Sequence, residues 1–116
     1  VEDDMALVKA YSLVFEKEGI AFDVATDGFE ALQLTDNNEY KVILLDILLP
    51  NMSGIEFLKQ YHAKNHPGTS VIMFTNLETD KDRQISHEEG AVDYIVKANT
   101  TPHEIATQIR GMLQPK

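Results

Sequence analysis

Val42-Ile43-Leu44-Leu45-Asp46 is an unbroken apolar run that stops on a carboxylate. A short run of β-branched residues and leucines reads as a strand buried on both faces, as in a parallel sheet. A carboxylate at its carboxyl end emerges where open α/β sheets place their ligand crevice. The loop that follows, Ile47-Leu48-Leu49-Pro50-Asn51-Met52-Ser53-Gly54, is rich in turn residues. Alone, such an aspartate ends a strand or bonds its own loop as readily as it does chemistry. Its surroundings in the chain decide between these.

On the N-terminal side, residues 5–18 place Leu7, Val8, Tyr11, Val14 and Phe15 at helical spacing. Asp4 is the expected N-cap and Gly19 the stop. Residues 20–25 read as a strand, Thr26-Asp27-Gly28 as a turn, and residues 29–37 as a helix with Ala31, Leu32 and Leu34 available for packing. On the C-terminal side, helical spacing returns over residues 53–65, with Ile55, Phe57, Leu58 and Tyr61 apolar, until Pro67-Gly68 breaks it. Residues 71–75 form a second apolar strand, and residues 80–89 a polar helix ended by Gly90. Tyr94-Ile95-Val96 is a third apolar strand, ending in Lys97. Residues 101–112 close the chain as a helix: Thr101 caps, Pro102 suits the first helical position, and Glu104 completes a capping-box pattern. Strands alternating with helices predict a parallel sheet covered on both faces, a doubly wound (βα)5 three-layer sandwich with five strands. The chain opens abruptly on Val1-Glu2-Asp3-Asp4, so its first strand is expected to begin upstream.

The 116 residues suffice for one domain, 1–116, with a real core. The absence of cysteine excludes disulfides and thiolate metal sites. No apolar run approaches the roughly 20 residues of a membrane helix, and no signal peptide is visible. A net charge of −9 sets the domain against direct contact with nucleic acid or an anionic membrane.

The polar residues of interest fall at the ends of the strands. Glu2 and Asp3 follow the first, Asp46 the third, Thr75 the fourth and Lys97 the fifth. In a parallel sheet these ends share one edge, so residues distant in sequence converge. Clustered carboxylates repel: at ~5 Å and an effective dielectric of ~20 each charged pair costs roughly 3 kcal/mol. Either a pKa rises or a cation binds. Hard oxygen ligands suit Mg²⁺, which pairs readily with phosphoryl oxygens. Lys97 adds a point charge suited to a phosphoryl group and Thr75 a neutral donor. Carboxylate nucleophiles that form acyl phosphates are established chemistry.

The acidic start V-E-D-D, the strand and loop V-I-L-L-D-I-L-L-P-N-M-S-G, the strand V-I-M-F-T and the segment G-A-V-D-Y-I-V-K occur in this order across the chain. Together they resemble the receiver domain of two-component response regulators over essentially all 116 residues. The resemblance implies a flavodoxin-like strand order 2-1-3-4-5 and a phospho-accepting signalling switch rather than an enzyme with turnover. It implies Asp46 as phospho-acceptor, with Mg²⁺ held by Asp3 directly, by Glu2 mainly through water, by Asp46, and by the backbone carbonyl of Leu48. Thr75 and Lys97 would contact the phosphoryl group, and Tyr94 would be the aromatic switch that moves with Thr75. The implied partner is a sensor histidine kinase or phosphotransfer protein, and the implied location the cytoplasm. The face of the fourth helix, fifth strand and fifth helix would relay the signal. An output domain and a phosphorylation-linked homodimer stay open.

Three features depart from that pattern. Ala98 follows Lys97 where the family usually has proline, which leaves the loop from Lys97 to Thr100 unplaced. Asn76 stands where a very small residue is usual, and is expected to narrow the entrance or bond the phosphoryl group. Leu48 and Leu77 occupy the two positions that influence dephosphorylation, and neither can orient an attacking water, so slow autodephosphorylation is expected. The rival class is a receiver-like interaction module that works without phosphate. A metal-dependent phosphohydrolase is disfavoured because Leu48 replaces its general acid. His62 and His66 are expected to be solvated rather than metal ligands, Glu88-Glu89 to lie on a solvated face, and Gly28 and Gly54 to be isolated turn or loop glycines.

Overall fold

The computed structural model describes residues 1–77 and 79–113. Three strands, β1 (Val42–Leu45), β2 (Ser70–Thr75) and β3 (Asp93–Val96), form a parallel sheet in the order β1-β2-β3. Val42 to Leu45 pair with Ser70 to Met73, and Ile72 to Thr75 with Asp93 to Val96. Five helices cover it: α1 (Met5–Lys17), α2 (Gly28–Asn37), α3 (Gly54–Tyr61), α4 (Asp80–Glu88) and α5 (Pro102–Leu113). Two single 3-10 turns, Ala63–Asn65 and Lys97–Asn99, complete the elements among the described residues.

The strand period of two sorts the core into layers. Ile43, Leu45, Val71 and Met73 pack with Ala31, Phe57, Leu58 and Tyr61 beneath α2 and α3. Val42, Leu44, Phe74 and Ile95 point the other way, against Tyr11 and Phe15 of α1 and Ile105, Ala106 and Ile109 of α5. This is the expected three-layer flavodoxin-like α/β fold.

The ladder has three strands rather than five. Residues 1–3 and 20–25 occupy the two remaining places without forming regular strands. The Val1 nitrogen donates to the Leu44 carbonyl, and the Asp46 N–H to the Val1 carbonyl, which brackets Leu45 in the parallel pattern. Beyond it the Glu2 N–H donates to Ala25. The order across the sheet is therefore 25, 1, β1, β2, β3, as the 2-1-3-4-5 topology requires. Elsewhere an apolar cavity of about 210 Å³, lined by Phe15, Phe22, Val42 and Leu44 among others, separates residues 20–25 from β1. In this order the neighbour of the second segment is residues 1–3, and the Glu2 N–H to the Ala25 carbonyl is the bond that joins them.

The caps follow the sequence. Asp4 accepts from the Ala6 and Leu7 N–H groups. Thr101 Oγ1 accepts from the Glu104 N–H and donates back to its carboxylate. The helix expected over residues 53–65 ends early. His62 turns left-handed at φ 55°, and one 3-10 turn replaces the last turn of α-helix. His66 is not fully solvated, since its ring stacks on Tyr61 with centroids 4.3 Å apart.

Candidate functional site

The carboxyl ends of the three strands lie along one edge, and residues 1–3 join them there. Asp46 follows β1 immediately and is 6 % exposed, and Thr75, the last residue of β2, is fully buried. Lys97 follows β3 and reaches back across the sheet. Its Nζ donates to Asp46 Oδ2 at 2.7 Å and to Glu2 Oε1 as well. The ammonium also lies 5.7 Å from the centre of the Phe74 ring. Burying a carboxylate is costly unless it is paired and hydrogen-bonded; here Lys97 and the Leu48 N–H, 3.3 Å from Asp46 Oδ1, supply both.

Burial pulls the Lys97 ammonium down, but the hydrogen bonds and charges of Asp46 and Glu2 outweigh it. The net shift is upward from the ordinary 10.5. Lys97 is therefore a fixed positive charge between two carboxylates.

Glu2, Asp3 and Asp46 place one carboxylate oxygen each within 4.8 Å of one another. Asp3 is exposed and Glu2 half-buried. The donor set is all hard oxygen and open to solvent on the Asp3 side, which fits Mg²⁺ with retained waters. Leu48 sits at the mouth, 62 % exposed.

The loop beneath is held by two contacts that the sequence reading missed. Gly54 packs so closely on the strand end that a Cβ there would lie 2.0 Å from the Asp46 carbonyl oxygen. It is a close-approach glycine rather than an isolated one. Asn51, left-handed at φ 66°, donates to Asp27 Oδ2 at 2.9 Å and ties the loop to the cap of α2.

A second chain of bonds leads away from the edge. Thr75 Oγ1 accepts from the Leu77 N–H at 3.2 Å. The Leu77 carbonyl accepts from the Tyr94 hydroxyl. Arg83 of α4 stands over the Tyr94 ring, 4.4 Å from its centre. The Leu77 side chain packs on the core beside Tyr94. The loop after Lys97 has all-trans peptide bonds, and the Ala98 N–H donates to Asn76 Oδ1 at 2.9 Å.

The sequence profile of the response regulator receiver domain matches residues 1–110. The chain belongs to the response regulator receiver family. It is 35% identical over 114 residues to the sensory transduction protein RegX3 of Mycobacterium tuberculosis, covering 98% of this chain and 49% of that protein. It is 32% identical to the transcriptional regulatory protein SrrA of Staphylococcus aureus, over 98% of this chain and 46% of that one. The chain thus spans about half the length of these curated relatives. Among solved structures, a CheY-like receiver domain protein from Methanospirillum hungatei superposes with a TM-score of 0.86 at 31% identity, over 95% of this chain and 86% of that chain. The BeF3-activated DrrB receiver domain gives 0.81 at 26% identity, over 98% and 93%. Receiver domains are phospho-accepting signalling switches that bind Mg²⁺ at an acidic pocket, and this receiver domain carries such a pocket in Glu2, Asp3 and Asp46. No described helix is long and apolar enough to cross a membrane.

Proposed function

We propose that Asp46 is the phospho-acceptor, taking a phosphoryl group from a phosphohistidine on a sensor histidine kinase or phosphotransfer protein. The observation that carries this is the buried Asp46 carboxylate, at the crevice edge, sharing Lys97 with Glu2 and lying within 4.8 Å of Glu2 and Asp3. An Asp46 oxygen attacks phosphorus in line and forms the P–O bond. The P–N bond breaks and its electron pair stays on that ring nitrogen; with the other ring nitrogen of the donor phosphohistidine protonated, the imidazole leaves neutral. Bound Mg²⁺, held by Glu2, Asp3, Asp46 and the Leu48 carbonyl, would neutralise charge on the phosphoryl oxygens. Lys97 trades its bond to Asp46 for one to a phosphoryl oxygen. Thr75 has its oxygen engaged by the Leu77 N–H and its proton left to donate.

The bonds from Thr75 through Leu77 to Tyr94 support Tyr94 as the switch residue, with the face of α4, β3 and α5 as the surface read by an output domain, a partner or a second copy. On this reading the protein works in the cytoplasm, and its own part is self-catalysed phosphoryl acceptance. Leu48 and Leu77 offer no hydrogen bond to an attacking water, which supports slow autodephosphorylation.

The test is intact-protein mass after incubation with acetyl phosphate, with Mg²⁺, with chelator, and on Asp46→Asn. A Mg²⁺-dependent gain of one phosphoryl group, lost in the variant, is expected. Absence of both the gain and Mg²⁺ binding would favour a phosphate-independent interaction module.

A further inference from the structure

Two residues at the mouth of the site depart from the receiver pattern together: Asn76 after the β2 threonine and Ala98 after the β3 lysine. The first N–H groups of a helical turn have no partner inside it. The turn Lys97–Asn99 receives no side-chain bond from Val96, the residue at its cap position. Its Ala98 N–H is satisfied instead by Asn76 Oδ1 at 2.9 Å, from a different strand. The turn is closed on its far side by the Thr100 N–H and the Lys97 carbonyl. A proline at position 98 would have no N–H to satisfy. Alanine creates a donor and asparagine supplies its acceptor, so each departure accounts for the other.

The placement has a second consequence. Thr75 and Val96 are the last paired residues of β2 and β3. The Asn76–Ala98 bond extends that pairing one step further, with a side chain standing in where the backbone ladder stops. The residue this step fixes is Lys97, which lies between Val96 and Ala98 and whose long, rotamer-rich side chain must reach Asp46 and Glu2.

We infer that Asn76 is a positioning residue for Lys97: by capping the turn Lys97–Asn99 from β2 it fixes the base of the lysine and so aims its ammonium at Asp46. The kinetic consequence rests on the phosphoryl-acceptor reading; the placement of Lys97 does not. A solvent-exposed hydrogen bond of this kind corresponds to about a 2- to 10-fold effect. Asn76→Ala should therefore slow phosphorylation by acetyl phosphate at saturating Mg²⁺ within that range.

The deciding experiment is a double-mutant cycle with Ala98→Pro, read beside amide hydrogen exchange and the Lys97 ammonium signal by NMR. In the proline background Asn76 has nothing to hold, and Asn76→Ala should no longer change the rate. In the otherwise native chain Asn76→Ala should accelerate exchange at the Ala98 amide and shift the Lys97 signal. An equal rate loss in both backgrounds would mean that Asn76 acts on the phosphoryl group directly, and would overturn the inference. So would unchanged Ala98 exchange, or an unmoved Lys97 signal. If Ala98→Pro does not fold, these two signals decide. If the native protein takes up no phosphoryl group, the acceptor reading fails, and the same two signals still decide the role of Asn76.

Discussion

Lys97 carries more of this site than its place at the end of a strand suggests. It bonds two carboxylates at once, with 13% of its side chain exposed. Replacing it with methionine leaves Glu2 and Asp46 facing each other without a counter-charge. In chelator this should cost about 2 kcal/mol in urea unfolding, and saturating Mg²⁺ should recover much of the loss. The sign of its titration is equally testable. Because its folded pKa is raised, the stability it contributes is fully present below the ordinary 10.5 and is lost as pH rises through the folded value. In Asp46→Asn the main upward influence goes while burial remains, so the Lys97 titration followed by NMR should move down. The residues of this cluster were legible because each stands at a strand end. The direct bond between Lys97 and Glu2 was not, because nothing in the sequence says how far a lysine side chain reaches across a sheet.

The helices and loops hold the cluster by means that a sequence reveals unevenly. Asp4 and Thr101 announce their helices by residue type, and both cap as their chemistry demands. His62 announces nothing. A histidine in the left-handed region ends α3 against the apolar spacing that runs on past it, since the periodicity of 55, 57, 58 and 61 records burial and not backbone sign. Relieving that conformation with His62→Gly should stabilise the domain by about 1 kcal/mol in thermal or urea unfolding. Gly54→Ala should do the reverse. Its Cβ would meet the Asp46 carbonyl, and overpacking of this kind costs about 1–3 kcal/mol. A slower phosphorylation rate should accompany the lost stability, because the residue displaced is the proposed acceptor. Asp27 links two of these elements. The Glu30 N–H at the start of α2, and then the Asn51 amide, hold its carboxyl below the ordinary 3.8. Its contribution is therefore present above that value and lost as pH falls through the lowered one.

Across the whole molecule, the alternation of strand and helix was readable because apolar runs of four to six residues are unambiguous between turn signals. The number of ladder strands was not, since an apolar run such as residues 20–25 records burial and not which backbone groups bond; among the described residues Val1 bonds to Leu44 and Glu2 to Ala25 without a regular ladder. A molecule built around three converging carboxylates should gain stability from the cation that joins them. At ~100 times its dissociation constant Mg²⁺ should add about 2.7 kcal/mol, seen as a rise of several degrees in melting temperature. Glu2→Gln with Asp3→Asn should abolish the rise. On the proposed switch reading, Thr75 and Tyr94 are joined through the backbone of one residue, Leu77, whose N–H donates to the threonine hydroxyl and whose carbonyl accepts from the tyrosine. Any residue except proline offers the same pair of groups. If, as proposed, the side chain at position 77 sets how long the phosphoryl group lasts, that side chain can change without altering the backbone bonds that join Thr75 to Tyr94. On that reading, the proposed clock and the proposed wire would sit on one residue and still be inherited separately.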